Sequence, residues 1–157
     1  MRRAETIRHE PPDPGELYER EGPRLWRAVL AYSQDRAVTD DAVAEAFAQC
    51  IRRGRQIRDP RSWVWTTAFR LAAAGLKERG RRVPLLDDRT EVEDPAEAMH
   101  LLAALGLLPR KQRAALVLRF YAGYGTDEIA RLLGCSRATV RVHISRGRHR
   151  LRELLEG

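Results

Sequence analysis

The sequence predicts an all-α protein: two small helical domains, a helix bundle and a helix-turn-helix domain, joined by a flexible acidic linker. Three observations carry this expectation. Apolar residues recur every third or fourth position through most of the 157 residues, the period of an amphipathic helix. No segment alternates apolar and polar residues as a half-buried strand would. Between residues 83 and 94, Asp87, Asp88, Glu91, Glu93 and Asp94 stand against a single Arg89 without helical period, the composition of a connector.

Residues 1–13 read as a short disordered lead, because they hold charges and prolines instead of the apolar stretch of a secretion signal. The first domain spans 14–82. Leu17, Tyr18, Leu25, Trp26, Val29 and Leu30 fall at helical spacing, with a break expected at Glu21-Gly22-Pro23 because proline removes a helix donor. A polar turn, Ser33 to Thr39, precedes a second helix whose stripe is Val43, Phe47, Cys50 and Ile51, ended by Gly54 in a left-handed cap. A third helix starts with Asp59 as N-cap and Pro60 at its first position, then runs through Trp63, Val64, Thr67, Ala68 and Leu71 towards Arg79. The second domain, 95–157, opens on Asp94-Pro95-Ala96-Glu97 in capping-box order. Ala98, Leu101, Leu102 and Leu105 form its first core face, and Leu108-Pro109 begins the next helix.

Charge bears on partners. With 29 Lys+Arg against 22 Asp+Glu the chain carries a net +7, which favours nucleic acid or another anionic surface. Cys50 and Cys135 are isolated, and His9, His100, His143 and His149 do not cluster. The expectation is reduced thiols in a cytoplasmic protein, with no metal and no cofactor. No apolar run approaches the roughly 18 residues of a membrane span, so no membrane insertion is expected.

The most specific local pattern begins at Thr126. That residue is expected to cap a helix with Asp127 and Glu128 in its first turn, near the positive end of the dipole. Ile129, Leu132 and Leu133 face inward, Gly134 reverses the chain at positive φ, and Ser136 caps a new helix two residues later. A helix, a glycine turn and a capped second helix at this spacing form a helix-turn-helix. On the second helix Val140, Ile144, Gly147 and Leu151 share the inward stripe. No acid occurs from Ile129 to Arg152, whereas Arg131, Arg137, Arg141, Arg146, Arg148, Arg150 and Arg152 are basic. A solvated face in an ordinary protein would mix signs. Arg137, Thr139 and Arg141, near the helix start, are the candidates for base edges. Arg146, Arg148 and Arg150 are the candidates for phosphates.

From Leu108-Pro109 and Gln112-Arg113 through Glu128-Ile-Ala, Leu133-Gly134-Cys-Ser136 and Thr139-Val-Arg to Arg148 and Leu151, the second domain resembles region 4 of bacterial sigma factors. The first resembles region 2, on Leu17-Tyr18, Asp40-Asp41-Ala-Val43-Ala-Glu45-Ala-Phe47 and Asp59-Pro60-Arg-Ser-Trp63-Val-Trp65-Thr-Thr-Ala68. With no region 1.1 or 3, the layout is similar to the extracytoplasmic-function (ECF) group of the sigma-70 family. The resemblance implies a promoter-specificity subunit of RNA polymerase, not an enzyme, and no glycine-rich phosphate loop or nucleophile elbow argues otherwise. It implies that Arg137, Ala138, Thr139, Arg141, Val142, Ser145, Arg146, Arg148 and His149 contact the −35 element, with the domain also binding the β flap of core polymerase. It implies that Asp40, Asp41 and Glu45 meet the β′ clamp helices. Trp63, Trp65, Thr66, Phe69, Arg70 and Lys77 would read and open the −10 element, aromatics stacking on separated bases while cations follow the backbone. Trp63 and Phe69 fit a core position equally well. An anti-sigma partner is implied too, as is a cytoplasmic protein acting at the nucleoid.

Region 2 departs from the family pattern. Ala68-Phe69-Arg70 stands where Ala-Arg-Asn is usual, Ala74 replaces a common Asp, and Ala44 replaces a common Gln. The departures leave a second reading open, a helix-turn-helix regulator with a degenerate region 2 that does not itself initiate transcription.

Overall fold

The computed structural model describes residues 13–79 and 95–157. The linker 83–94, the lead up to residue 12, and the capping role expected of Asp94 lie outside the described residues. Three long helices come first: α1 (Pro14–Ser33), α2 (Arg36–Arg53) and α3 (Pro60–Arg79). Four follow: α4 (Pro95–Gly106), α5 (Arg110–Leu116), α6 (Thr126–Leu133) and α7 (Arg137–Glu156). No strand occurs among the described residues.

The punctuation follows local chemistry. The α1–α2 turn is tighter than the expected Ser33–Thr39 loop. Gln34 alone takes a left-handed conformation, φ 57°, and Asp35 caps α2 by accepting from the Val38 amide at 3.0 Å. Ser33 and Thr39 are buried helical residues, their hydroxyls 2.8 Å apart, so their polarity is satisfied internally. The Asp59 cap of α3 is present, accepting from the Ser62 amide at 3.2 Å.

Two expectations fail. α1 does not break at Glu21-Gly22-Pro23; it runs on with Pro23 inside it. An interior proline costs roughly 3 kcal/mol, but Leu17 and Leu25 on either side enter one core and Gly22 lies against the Tyr18 ring. Each fully buried aliphatic side chain returns roughly 1.5–3 kcal/mol, which outweighs the lost bond. Thr126 does not cap α6 either. Gly125 holds the N-cap position and Thr126 is the first helical residue.

The core joins both halves of the chain. Leu25, Val29 and Val64 from the first half and Leu118, Ile129 and Val140 from the second are fully buried in one continuous apolar cluster. Arg113, almost wholly buried, bridges them: its Nε donates to the Tyr32 carbonyl at 2.6 Å and its Nη1 to the Gly106 and Leu108 carbonyls at 3.4 and 3.3 Å. These oxygens lie at or just past the ends of α1 and α4, where helix carbonyls lack intrahelical partners and the dipole is negative. Burial pulls the guanidinium pKa down, yet arginine keeps its proton in proteins. The two expected helical units are present, and they are packed together.

Candidate nucleic-acid interface

α7 is the simplest surface. Gly134 turns the chain at φ 65°, Cys135 donates back to the Ala130 carbonyl, and Ser136 caps α7 by accepting from the Thr139 amide at 3.1 Å. Val140 and Gly147 are buried, with Ile144 and Leu151 half-buried behind them. A methyl at Gly147 would meet the Leu116 side chain at 3.1 Å, so this glycine sets how closely α7 lies on α5. The opposite face carries Arg137, Ala138, Arg141, Val142, Ser145, Arg146, Arg148 and His149, all exposed. Thr139 is half-buried, its hydroxyl engaged with Ser136.

Three members of that face already have partners. Arg137 pairs with Asp127 of α6, an acid just ahead of the acid-free stretch. His149 Nε2 lies 3.3 Å from Glu153, and the Arg148 guanidinium sits over the Phe120 ring at 5.6 Å. Arg141 and Arg148 line a shallow basic depression with Ser145, His149 and Arg152. Arg141 is thus the least committed guanidinium near the helix start, and exposed pairs such as Arg137–Asp127 yield easily to a phosphate.

α3 is different. Trp65 is 2% exposed and Phe69 5%, so with the halves packed neither offers a face on which a base could stack, contrary to the expectation. The indole of Trp65 donates to Glu21 at 3.1 Å. Its ring is covered by Phe69, by Tyr124 edge-on at 6.4 Å and by the Arg24 guanidinium at 5.6 Å. The reason is the period: Trp65, Ala68, Phe69, Ala72 and Leu76 form the buried stripe of α3. Trp63 and Thr66 stay half-exposed, Arg70 and Lys77 fully so.

Trp63 and Thr66 line a shallow pocket of ≈ 370 Å³ with Arg53, Gln56, Ile57, Arg58, Asp59 and Ser62, and Arg53 lies over the Trp63 ring at 5.6 Å. Sequence reading passed over Arg53, Gln56 and Arg58. Their only signal was a cluster of arginines between two helices, which looks like any solvated turn until Ile57 is seen to anchor it in the core. Tyr124, from the turn before α6, closes the neighbouring cleft over Trp65. Burial pushes its hydroxyl up to about 12, an effect partly offset by a bond with the Thr66 hydroxyl.

The acidic residues of α2 are all exposed, but only Asp41 stands clear. Asp40 accepts from the Trp26 indole at 2.7 Å, and Glu45 accepts from Gln49 at 3.0 Å and Arg52 at 2.9 Å. The Gln49 bond and then the Arg52 bond hold the Glu45 carboxyl below its ordinary range. An apolar groove of ≈ 730 Å³ runs between α1, α4 and the end of α7, floored by Leu30, Leu102, Leu105 and Leu116 and rimmed by Arg27, Arg148 and Arg152. Leu101, expected in the core of the second domain, is 42% exposed at its edge. Among the described residues no group of three His, Cys, Asp or Glu side chains is placed to hold a metal, and no helix is long and apolar enough to cross a membrane.

Residues 98–151 match the family model for sigma-70, region 4. The chain is 31% identical over 153 residues to the RNA polymerase sigma factor CarQ of Myxococcus xanthus, covering 89% of this chain and 87% of that one. It is 30% identical over 155 residues to the ECF RNA polymerase sigma factor SigE of Mycolicibacterium smegmatis, covering 89% of this chain and 60% of that one. The fold is similar to the sigma factor RpoE in its complex with the anti-sigma factor NepR from Bartonella quintana. The TM-score is 0.73 at 20% identity, over 90% of this chain and 96% of that one. The helix-turn-helix, the three-helix unit ahead of it and these likenesses agree: the chain belongs to the sigma-70 family, in its ECF group, and is an RNA polymerase sigma factor that directs promoter-specific transcription initiation.

Proposed function

We propose that the two DNA surfaces divide the promoter between them. The exposed face of α7 enters the major groove of the −35 element, Arg141 reading a base edge and Arg146, Arg148 and His149 gripping the backbone. The Trp63 pocket, with Thr66, Arg70 and Lys77, receives the −10 element once its strands separate. The observation that carries this reading is the charge of α7, where the outward face from Arg137 to Arg152 holds no acid. Asp41, flanked by Asp40 and Glu45, meets the polymerase β′ clamp helices. The apolar groove takes a helix, from the β flap of core polymerase or from an anti-sigma partner. The basic rim suits an acidic amphipathic segment, and the likeness to a sigma factor solved with its anti-sigma factor points the same way.

The division into 14–82, an 83–94 linker and 95–157 supports that geometry. Two sites 25 base pairs apart are separated by about 85 Å of duplex, whereas a packed chain of this length is only about 40 Å across. The halves therefore part when both elements are bound. An extended span over residues 80–94 reaches up to about 50 Å. Being a soluble factor of a cytoplasmic enzyme, the protein would act in the cytoplasm, on the nucleoid.

Run-off transcription with core polymerase and promoter DNA selected by the reconstituted holoenzyme tests the reading. Promoter-dependent transcripts are expected. DNA binding by the free chain with no addition to core polymerase would favour the regulator with a degenerate region 2.

A further inference from the structure

Glu21 sits inside α1 and is buried, yet it carries a carboxylate. Its two oxygens take different donors from α3. Oε1 accepts from Arg61 Nε at 2.7 Å and Oε2 from Trp65 Nε1 at 3.1 Å. Arg61 and Trp65 are one helical turn apart, so one carboxylate fixes both side chains at once. Burying such a group is costly unless it is paired and hydrogen-bonded, and here both conditions hold.

The pairing engages only the Nε edge of the Arg61 guanidinium. The Arg61 side chain is 54% exposed, and its two terminal nitrogens form no hydrogen bond to the described residues. A planar fork held along one edge and open at the other can grip a phosphate through two parallel N–H···O bonds. Its place fits that use. Arg61 edges the cleft below Tyr124 and follows directly on the Arg53–Asp59 turn that lines the Trp63 pocket. Arg53, Arg55 and Arg58 make the turn ahead of Arg61 strongly positive, with Asp59 the one acid within it.

We propose that Arg61 grips a backbone phosphate of the separated promoter strand, and that Glu21 is the positioning residue that aims its guanidinium. The proposal rests on α3 facing the −10 element. The competing role is a purely structural tie between α1 and α3, which would stabilise the bundle and leave DNA untouched.

Holoenzyme made from the full chain and core polymerase separates the two. Its affinity is measured for a forked promoter fragment, single-stranded through the −10 element, across a salt series. Arg61→Ala is expected to weaken fork binding about tenfold and to lower the slope of log affinity against log salt by about 0.7, one phosphate on a single strand. Arg61→Lys keeps the charge and the Glu21 pair, so it should recover the slope but only part of the affinity. Glu21→Gln is isosteric and is expected to cost several-fold in fork binding, with core-polymerase affinity and duplex −35 binding unchanged. Wild-type affinity and slope in Arg61→Ala, alongside a normal wild-type preference for fork over duplex, would overturn the proposal alone. So would losses in Glu21→Gln that follow melting temperature and core-polymerase affinity. A wild-type holoenzyme with no preference for fork over duplex would take down the −10 reading itself, and this proposal with it.

Discussion

α7 and α3, the two helices proposed to meet promoter DNA, are both 20 residues long, and they present themselves in opposite ways. α7 buries Val140 and Gly147 and leaves almost everything else in solvent. α3 buries most of its aromatic content and leaves Trp63, Thr66, Arg70 and Lys77 outward. The contrast is one of chemistry. Arginine has no place in a core unless it is satisfied as Arg113 is, so an arginine face is a surface. Tryptophan and phenylalanine serve equally well as core and as stacking platform, so an aromatic on a helix does not announce which it is. A reader helix built from cations shows its face in the sequence; one built from aromatics does not.

The contrast can be broken most sharply at Trp65. Trp65→Ala is expected to cost about 3–5 kcal/mol of stability, the range for deleting a buried aromatic, seen as a large fall in denaturant midpoint with DNA effects only secondary. Loss of promoter opening with an unchanged midpoint would mean that Trp65 serves DNA after all. Trp63→Ala should do the reverse, with near-normal stability and promoter opening down by about 1–3 kcal/mol, or roughly 5- to 150-fold. Permanganate reactivity of the −10 strand reads that loss.

On α7, Arg141→Ala is expected to relax base discrimination at one −35 position by about 1–3 kcal/mol. Arg148→Ala should instead lower the salt slope by about 1 with little change in sequence preference. Binding to a panel of −35 duplexes at several salt concentrations checks both; identical behaviour of the two variants would mean the helix faces DNA differently. Gly134→Ala, forcing a methyl onto a positive-φ residue, should cost about 1 kcal/mol in melting experiments without altering the preference that remains.

The smallest effect concerns the closed cleft over Trp65. Tyr124 ionises near 12 in the folded chain against about 10 when unfolded. Its folded pKa is raised, so the neutral hydroxyl contributes stability that is complete below about pH 10. That stability is lost as pH climbs to about 12. Absorbance titration of tyrosinate should show a late-ionising component, to which Tyr32 also contributes because burial raises its hydroxyl, and Tyr124→Phe should reduce it. If its amplitude is unchanged in Tyr124→Phe, the Tyr124 hydroxyl is not buried against α3 and the two halves meet differently.

Much of this molecule is written locally. The all-α class, the Asp59 and Ser136 caps, the Gly134 turn and the inward stripe of α7 all depend on neighbours within a turn or two. They could be read from spacing and residue type. So could the outward, cationic face of α7, because its arginines fall off the apolar stripe. Most of the failures share the opposite property. The continuity of α1 through Pro23, the burial of Trp65 and Phe69, and the Arg53–Arg58 side of the Trp63 pocket all depend on partners tens of residues away. The same is true of the Glu21–Arg61–Trp65 tie, formed by α1 and α3. The sequence by itself determined which segments are helices, where they cap and which face of the last one is cationic, because backbone bonding and helical period are short-range. Only the tertiary structure decided which aromatics are core and which acids are committed. It alone showed that the two halves share one apolar cluster, because burial is settled by whatever distant surface arrives to cover a side chain.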